Sequence, residues 1–507
     1  MSTGRLFGVG LGPGDPELMT VKAARLIGEA DVIAYHSARH GRSIARSVAE
    51  PYLREGQLEE ALVYPVTTQT TDHPGGYEGA IADFYELSAK RLAAHLDAGR
   101  DVVVLCEGDP FFYGSYMYMH ERLADRYEAV VVPGVTSVSA ASAVLGRPLV
   151  QRDEVLTVLP GTLPAPELAR RLADTDSAAI LKLGRTFGSV REALAEAGKL
   201  DDAFYIERAT WDTQRVEPFA GVDPESVPYF SLALVPSPAH AARLSGDEPA
   251  AGSVDSQDTT CGEVVVVGLG PAGPEWLTAE AEAELAVAEH VVGYGPYVAR
   301  VPQRAGQQRH SSGNRVEADR AADALILAAG GARVAVVSSG DPGVFAMASA
   351  VLEQAAAGHG AGVRVRIVPG VTAAQAAASR VGAPLGHDYC VLSLSDRLKP
   401  WEIIERRLEA AGAADLVLAL YNPASRTRTT QLAQARDVLL RHRAPETPVV
   451  VARDVGGPEE DVRVVTLATL DPATVDMRCL LIVGSSKTVA ERRPDGTSVV
   501  WTPRSYD

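Results

Sequence analysis

At 507 residues the chain is too long for a single hydrophobic core, so several domains are expected. Apolar residues make up 46% of it and charged residues 22%, which is an ordinary globular composition. The formal net charge of −17 argues against a general nucleic-acid-binding surface, because such surfaces are basic.

The four cysteines are scattered along the chain without a Cys-x-x-Cys pair: Cys106, Cys261, Cys390 and Cys479. This pattern argues against a disulfide framework, a zinc site or an iron–sulfur site, and we predict no metal. The N-terminal residues lead directly into an apolar strand rather than a signal peptide, and no apolar stretch reaches the roughly 20 residues that cross a bilayer. We therefore expect a cytoplasmic protein without membrane or nucleic-acid partners.

Short runs of Val, Ile and Leu alternate with Ala-rich stretches along the chain. The predicted strands include residues 102–105, 130–132, 264–267 and 334–337, and the predicted helices include residues 80–97, 279–288 and 401–411. Apolar strands that alternate with helices are typical of sheets covered on both faces. We predict an α/β fold in which functional residues gather in loops at strand ends.

Three loop motifs occur twice, in the same order. GLGP at residues 10–13 returns at 268–271, GDP at 108–110 returns at 340–342, and VPGVT at 132–136 returns at 368–372. The period is too long for a solenoid, so we predict two homologous units in tandem, each with its own site.

The segment between the two copies has a different composition. Residues 238–261 are rich in Ser, Ala, Gly, Pro and Asp and nearly lack large apolar side chains. Such a segment cannot bury enough surface to offset its ordering entropy. We predict a flexible linker there, between a first unit at residues 1–237 and a second unit at residues 262–507. We also expect that cutting this linker leaves two folded, independently active fragments.

The first motif of the second unit matches the dinucleotide fingerprint Gly-x-Gly-x-x-Gly, beginning at Gly268. Two features argue against a nicotinamide cofactor. Pro271 and Pro274 prevent a helix from beginning where a pyrophosphate would need its N–H groups. The acidic residue Glu289 precedes the second strand, whereas the fingerprint needs one at the end of that strand.

The other two motifs each have a structural and a functional interpretation. Asp109 and Asp341 could cap their own turns, since Asp-Pro is common in turns, but two copies before aromatic residues favour a binding loop. The Pro-Gly-Val-Thr motif leads into a helix of small residues. That helix allows either close packing on the sheet or hydrogen bonds to a ligand carboxylate or adenine edge. Phosphate-loop, zinc-protease, nucleophile-elbow and kinase motifs are absent from the sequence.

The three motifs in this order resemble the tetrapyrrole methylases, which transfer a methyl group from S-adenosylmethionine. The resemblance covers essentially the whole chain except the linker. The first unit, with GDPFFYGSYMYM and YIERAT, resembles the precorrin-2 C20-methyltransferases. The second unit, with SSGDPGVFAMASAV, LSLSDRLKPWE and LYNPASRTRT, resembles the precorrin-3B C17-methyltransferases. Such a pairing resembles the fused bifunctional enzymes of cobalamin synthesis.

The resemblance implies that each unit consists of two α/β domains with S-adenosylmethionine in the cleft between them. The matching positions in the first unit are Pro13, Glu107, Gly108, Asp109, Phe112, Thr136, Ser137, Leu183 and Ala209. Those in the second unit are Pro271, Ser339, Gly340, Asp341, Val344, Thr372, Ala373 and Leu420. Many relatives have Gly before the Gly-Asp-Pro motif, where this chain has Glu107 and Ser339.

The resemblance also implies substrates rich in carboxylates, so a protein of net charge −17 must gather positive groups locally. Eight candidates lie in loops or beside strand ends: Arg42, Arg46, Arg185, Arg208, Arg315, Arg426, Arg428 and Arg453. For any single arginine, a solvated surface position is the competing interpretation. We interpret His36, His310 and His387 as structural or solvent-facing, and the sequence identifies no catalytic base.

The function that the resemblance implies is bifunctional C-methylation in cobalamin biosynthesis. The first unit would methylate precorrin-2 at C20, and the second would methylate precorrin-3B at C17 with ring contraction. S-adenosylmethionine carries its own activated methyl group, which explains why no nucleophile or metal motif is needed. Three alternatives stay open: cobalt-loaded counterparts of the same substrates, a nicotinamide-dependent oxidoreductase, or one half that serves only as a binding module. A homodimer also stays open.

Overall fold

The computed structural model describes residues 3–38, 41, 43–65, 73–152, 154–237, 262–313, 316–397, 399–493 and 496–503. The predicted linker at residues 238–261 lies outside the described residues. Within the described ranges strands and helices alternate in both halves, which confirms the α/β prediction. No helix in these ranges is long and apolar enough to cross a membrane.

The first half opens with a five-stranded parallel sheet in the order β3-β2-β4-β1-β5. Its strands are β1 (Leu6–Gly10), β2 (Val32–Ser37), β3 (Leu58–Val63), β4 (Val102–Cys106) and β5 (Ala129–Val132), and its helices are α1 (Val21–Glu29), α2 (Ile44–Ala49), α3 (Gly76–Asp97), α4 (Tyr116–Leu123) and α5 (Ser137–Leu145). Separate hydrophobic clusters pack under α1 and α2 and under α3 and α4, which explains why the strands are apolar on both faces. The three repeated motifs follow β1, β4 and β5 in the chain. Because these strands are neighbours in the parallel sheet, the motifs lie side by side at its carboxyl edge.

The second half repeats this parallel sheet in the order β13-β12-β14-β11-β15. Its strands are β11 (Glu263–Gly268), β12 (His290–Tyr294), β13 (Gln308–Ser312), β14 (Arg333–Ser338) and β15 (Arg364–Val368), and its helices are α8 (Ala279–Val287), α9 (Gly295–Val298), α10 (Glu317–Ala329), α11 (Met347–Ala356) and α12 (Ala373–Val381). The strand order matches that of the first half position by position, so the duplication extends to topology.

The remainder of both halves forms one continuous ten-stranded sheet, in the order β20-β19-β21-β18-β17-β6-β7-β10-β8-β9. The first half supplies β6 (Leu156–Pro160), β7 (Ser177–Leu181), β8 (Phe204–Glu207), β9 (Arg215–Pro218) and β10 (Ser231–Val235), with helices α6 (Ala165–Ala173) and α7 (Phe187–Glu196). The second half supplies β17 (Tyr389–Ser393), β18 (Val417–Tyr421), β19 (Pro448–Arg453), β20 (Asp461–Thr466) and β21 (Cys479–Val483), with helices α13 (Trp401–Ala413) and α14 (Gln431–Leu439). The halves join where β6 and β17 pair antiparallel, with Thr157 opposite Cys390.

A small third sheet connects the C-terminal residues to the first half. It consists of β16 (Gly382–Ala383), β22 (Val489–Arg492) and β23 (Ser498–Trp501). Ala383 and Trp501 of this sheet belong to the hydrophobic cluster under α3 and α4. Arg493 forms an ion pair with Asp125 at 3.1 Å. The second half therefore covers part of the core of the first.

The halves also meet close to the repeated motifs. Thr20 and Thr278, which cap α1 and α8, face each other in an antiparallel bridge, and Val150 bridges Val344. One hydrophobic cluster contains residues of both halves. These shared structures contradict the expectation that each half is self-contained, although the sequence boundaries of the two units remain a prediction. The pairing of β6 with β17 could not be predicted from the sequence, because a buried apolar strand has the same pattern whichever unit its neighbour belongs to.

Candidate cofactor site

Three loops meet at the carboxyl edge of each parallel sheet. We call them the glycine loops (residues 11–13 and 269–271), the aspartate loops (107–113 and 339–345) and the threonine loops (133–136 and 369–372). In the first half the Gly108 N–H donates to the Gly12 carbonyl at 2.7 Å, and the Gly12 N–H donates back at 3.3 Å. The Gly340 and Gly270 pair repeats this exchange at 2.8 and 3.2 Å. The glycine and aspartate loops are thus joined in the same way in both halves.

The aspartates connect the aspartate loops to the threonine loops. The Asp109 carboxylate accepts hydrogen bonds from the Phe111 N–H at 2.9 Å and the Gly134 N–H at 3.1 Å. Asp341 accepts from the Gly343 N–H at 2.8 Å and the Gly370 N–H at 3.2 Å. Burial raises the pKa of Asp109 to about 7 and that of Asp341 to about 6. The donating N–H groups stabilise the charged carboxylates and so act in the opposite direction. Both aspartates therefore hold the loops together from within.

Glycine is required where the three strand ends converge. A Cβ added to Gly134 would lie 2.2 Å from the Gly108 carbonyl oxygen, and one added to Gly370 would lie 2.4 Å from that of Gly340. Gly108 and Gly340 have φ values of +66° and +67°, which side chains disfavour. The motif glycines thus allow three backbone segments to approach one another and leave their polar groups at the edge.

The threonines cap the helices that follow. Thr136 accepts from the Ser139 N–H at 3.3 Å at the start of α5, and Thr372 accepts from the Gln375 N–H at 3.2 Å at the start of α12. Both are N-cap hydrogen bonds of the usual kind. The next residues, Ser137 and Ala373, are partly exposed at the same edge. The capping interpretation explains the threonines without a ligand, and the adjacent residues remain accessible to one.

The ten-stranded sheet supplies the opposite wall in the first half. The Trp211 side chain donates to the Pro13 carbonyl at 3.0 Å, and the Asp15 N–H donates to Thr210 at 3.2 Å. Ala209 is buried between Arg208 and Thr210, which both have positive φ. In the second half Asp454 has a positive φ like Arg208, and the residue after it, Val455, corresponds to Ala209. The proposed site residues Pro13 and Ala209 therefore lie at one boundary between the two domains.

The two leucines proposed for the site occupy different places. Leu183 lies two residues beyond the end of β7, whereas Leu420 lies inside β18, and both side chains are buried. Lys182 directly follows β7 and Asn422 directly follows β18, and both have a left-handed backbone conformation. The two residues are therefore equivalent, and the residue after Asn422, Pro423, corresponds to Leu183. Tyr421, which sequence reasoning missed, contacts the second site because its hydroxyl accepts from the Ala374 N–H at 3.3 Å.

Each aspartate loop also contacts the other half. Phe112 packs edge-to-face on Tyr389, with ring centroids 5.9 Å apart. The Val150 N–H donates to the Gly343 carbonyl, and the Phe345 N–H donates to the Val150 carbonyl, both at 3.2 Å. Val344 packs against the shared hydrophobic cluster. The loops proposed to hold the cofactor are thus supported from across the boundary between the halves.

The residue before each Gly-Asp-Pro motif is held differently in the two halves. Glu107 accepts from the Ala45 N–H in the first turn of α2 at 3.1 Å. Ser339 accepts from Arg300 at 3.1 Å. The sequence gives no signal for Arg300, because it stands alone after α9 outside any motif.

Most of the proposed substrate-binding arginines already have protein partners. Arg46 pairs with Glu59, Arg208 with Glu207, and Arg453 with Asp476 and Glu459. Arg428 is buried, donates to the Asn422 carbonyl at 3.0 Å and has its pKa lowered by burial. Arg185 and Arg426 are exposed, and only Arg426 makes no hydrogen bond or ion pair with the described part of the chain. Arg42 and Arg315 lie outside the described residues.

The proposed histidine roles agree with their surroundings. His310 lies 2.9 Å from His290 in a ring-to-ring hydrogen bond, and His387 adjoins Asp388. Burial lowers the pKa of His36 to about 4, so its imidazole is neutral near pH 7. Among the described residues no group of three or more His, Cys, Asp or Glu could hold a metal ion.

The loops fit the chemistry of S-adenosylmethionine. A Cβ added to Gly108 would lie 4.0 Å from its nearest neighbour and one added to Gly340 3.8 Å, which are ordinary van der Waals distances, so neither glycine is crowded by the other loops. Backbone groups of the three loops, the partly exposed Pro13 and Pro271, and small side chains lie at this edge. Such surfaces suit an adenosine and a sulfonium, which need apolar walls and hydrogen bonds more than charged side chains.

Comparison with known proteins adds independent information. The family model "Tetrapyrrole (Corrin/Porphyrin) Methylases" matches residues 5–220 and 263–471. "Cobalamin biosynthesis protein CobIJ" of Mycobacterium tuberculosis (strain ATCC 25618 / H37Rv) is 61% identical over 507 residues, which covers 99% of this chain and 96% of that protein.

Two Sinorhizobium sp proteins match about half of the chain each. "Precorrin-2 C(20)-methyltransferase" is 52% identical over 237 residues, 46% of this chain and 96% of its own length. "Precorrin-3B C(17)-methyltransferase" is 45% identical over 247 residues, 48% of this chain and 97% of its own length. With both halves covered by the family model and the three loops repeated in each, the chain belongs to the tetrapyrrole methylases.

Proposed function

We propose that the chain is a bifunctional S-adenosylmethionine-dependent methyltransferase of corrin biosynthesis. The first half would methylate precorrin-2 at C20, and the second would methylate precorrin-3B at C17 with ring contraction. The observation that carries this proposal is the repetition of the complete three-loop arrangement in both halves, with the same hydrogen bonds. The relatives that match each half support the choice of substrates.

The proposed cofactor-binding residues fall into three groups by what they do in the structure. Gly108, Gly340, Pro13 and Pro271 lie where the glycine and aspartate loops meet. Asp109, Asp341, Thr136 and Thr372 fix the loop and helix positions, so their contribution to binding is preorganisation. Phe112, Val344 and Ala209 belong to the hydrophobic cluster shared by the halves and would supply apolar walls. Leu183 and Leu420 would contribute backbone groups, because their side chains pack under helices of the ten-stranded sheet. Ser137, Ala373, Glu107 and Ser339 are at least partly exposed beside the loops.

S-adenosylmethionine, when bound, supplies an activated methyl group. The chain must then orient the ring carbon for in-line displacement, which is mainly a matter of placement. Rigid loops suit this task, because backbone hydrogen bonds join the glycine and aspartate loops, and the aspartate carboxylates join the threonine loops to them. Each aspartate loop is also supported by the other half. Arg426 is available for a substrate carboxylate in the second half, whereas Arg46, Arg208, Arg428 and Arg453 would first have to leave their protein partners.

A nicotinamide-dependent oxidoreductase is less well supported by the geometry. After the glycine loop of the second half the next α-helix begins only at Ala279, capped by Thr278. The helix N-terminus is therefore not placed at the glycine loop, where a pyrophosphate would be held. Cobalt-loaded substrates in place of the metal-free rings remain the alternative within the same enzyme class.

The experiment that tests the proposal is calorimetric titration followed by product analysis. We expect two equivalents of S-adenosylmethionine per chain and no binding of NADH. Mass spectrometry should then detect one added methyl group with precorrin-2 and one with precorrin-3B, with cobalt-loaded rings as the comparison. Saturation at one equivalent would show that only one half is an active site.

The proposal includes the location and partners of the enzyme. We propose a cytoplasmic location, with tetrapyrrole intermediates as the small-molecule partners. The two halves already pair through β6 and β17, so a homodimer of the whole chain would need a further interface. Light scattering on the purified chain distinguishes a monomer from that homodimer.

A further inference from the structure

Arg300 connects two of the three loops in the second half. One end of its guanidinium, Nη2, donates to the carbonyls of Leu269 and Gly270 in the glycine loop, both at 2.8 Å. The other, Nη1, donates to the Ser339 hydroxyl in the aspartate loop at 3.1 Å. The planar, forked geometry of arginine suits it to hold two segments at a fixed separation.

The surroundings of Arg300 strengthen these contacts. Its guanidinium is largely buried, and burial lowers its pKa to about 10, so it stays charged near neutral pH. Hydrogen bonds from a charged donor are stronger than neutral ones, and low local polarity increases their strength further. Arg300 is thus a charged group that holds the glycine and aspartate loops of the second half together.

The first half holds the corresponding loop with a group of opposite charge. Glu107 stands where the second half has Ser339, and its carboxylate accepts from the Ala45 N–H of α2. This contact connects the aspartate loop to a helix, whereas Arg300 connects it to the glycine loop. The two sites therefore have the same backbone geometry but a different support.

We infer that Arg300 is the positioning residue of the second-half cofactor site and sets the affinity of that half for S-adenosylmethionine. This inference rests on the proposed binding of S-adenosylmethionine at these loops. With Arg300 in place, the glycine and aspartate loops are held at one separation before the ligand arrives. Without it, ordering the loops becomes part of the cost of binding.

The test is calorimetric titration of the intact chain with S-adenosylmethionine, comparing Arg300→Met with the unmodified protein. The second-half site should bind about tenfold to a hundredfold more weakly, the range expected when buried carbonyls lose a charged partner. The first-half site should keep its affinity and serves as the internal reference. Arg300→Lys, which retains a charge but not the fork, should recover part of the loss.

Arg309→Met is the matched control, because Arg309 likewise donates to three oxygen atoms, the carbonyls of Val298, Val301 and Pro302, without contacting any of the three loops. It should lower the melting temperature but leave both affinities unchanged. Two unchanged sites in folded Arg300→Met would overturn the inference, and so would equal losses for Arg300→Met and Arg309→Met. If Arg300→Met does not fold, Arg300→Lys decides: a several-fold weaker second site supports the inference, and an unchanged one overturns it. Absence of binding in the unmodified protein would instead contradict the proposed function.

Discussion

The two halves share their loops but differ in the side chains that flank the aspartate loop. In the first half His36 stacks on Tyr64 with ring centroids 5.3 Å apart, and the Tyr64 hydroxyl donates to Ser115 at 2.7 Å. Tyr294 stands in place of His36 in the corresponding strand of the second half, and Gly293 in place of Tyr35. Beside this strand Arg320 is buried and donates to Ser312 at 2.8 Å. A buried histidine in the first flank thus corresponds to a tyrosine in the second, which has a buried arginine as well.

This difference shows which parts of a duplicated site tolerate change. The loops are built from backbone hydrogen bonds and glycines, so their geometry persists as long as the motif residues do. The flank is built from side chains, which one substitution can replace. We interpret the loops as carrying the chemistry common to both halves and the flank as a region where their substrates are distinguished.

Expressing the two halves as separate fragments should change their stability more than any single substitution does. Residues 1–237 expressed alone lose β17 beside β6 and also the cover of Ala383 and Trp501 over their core. Residues 262–507 lose the strand partner, the bridge contacts and their share of the common hydrophobic cluster. Their own parallel sheet keeps both of its clusters, because these contain no first-half residue. We expect the first fragment to be destabilised by more than about 5 kcal/mol, comparable with the whole stability of a domain, and the second fragment less.

Light scattering and thermal melting of each fragment, alone and mixed, check this asymmetry. The control is the intact chain cut by a protease within residues 238–261, which should remain one complex because both partners are present. Two monomeric fragments with unchanged melting temperatures would show that the shared sheet contributes little.

The next largest effect is expected at the two buried aspartates. Asp109→Ala and Asp341→Ala each leave two loop N–H groups without an acceptor, which should cost about 1–3 kcal/mol. Stability and S-adenosylmethionine affinity should fall together in the mutated half only, as measured by hydrogen exchange and calorimetry. Asp223→Ala is the control, because Asp223 caps an exposed turn far from the loops in sequence. Lost affinity without lost protection would show instead that the carboxylate contacts the cofactor.

Sequence reasoning located the loops because their residues are constrained locally. Glycines at left-handed positions and prolines after strands leave a readable pattern, and adjacent parallel strands then bring the motifs together. The contacts between halves left no such pattern, since the pairing of β6 with β17 depends on residues more than 200 positions apart. The role of Arg300 and the protein partners of Arg46 and Arg453 were not predictable for the same reason. A lone arginine in sequence does not indicate which carbonyl or carboxylate it will meet.

The smallest expected effect concerns acid, and it again separates the halves. Burial lowers the pKa of His36 to about 4 and that of His120 to about 3. Counting from the Gly-Asp-Pro motif, His120 corresponds to Leu352, and by strand register His36 corresponds to Tyr294, so the second half has no histidine at either place. The first parallel sheet should therefore lose more stability on acidification than the second.

The sign follows from the lowered pKa values. The unfolded chain takes up these protons below the ordinary histidine pKa of 6.5, whereas the folded chain does not until about pH 4 for His36. Stability that is present above pH 6.5 is thus lost as the pH falls towards 4, by roughly 2 kcal/mol for each histidine at pH 5. Asp109 and Asp341 act in the opposite direction, because their raised pKa values favour the folded state in acid. They occur once in each half, so their effects largely cancel in the comparison.

Hydrogen exchange of the two parallel sheets at pH 7 and pH 5, corrected for the intrinsic exchange rate, measures the difference. His36→Phe keeps the aromatic stack on Tyr64 without a titrating group, and His120→Leu introduces the residue of the second half. Each variant should remove part of the acid sensitivity of the first sheet and leave the second sheet unchanged. If both sheets lose protection equally in the unmodified chain, the shared ten-stranded sheet transmits the effect, and the halves do not respond to acid as separate units.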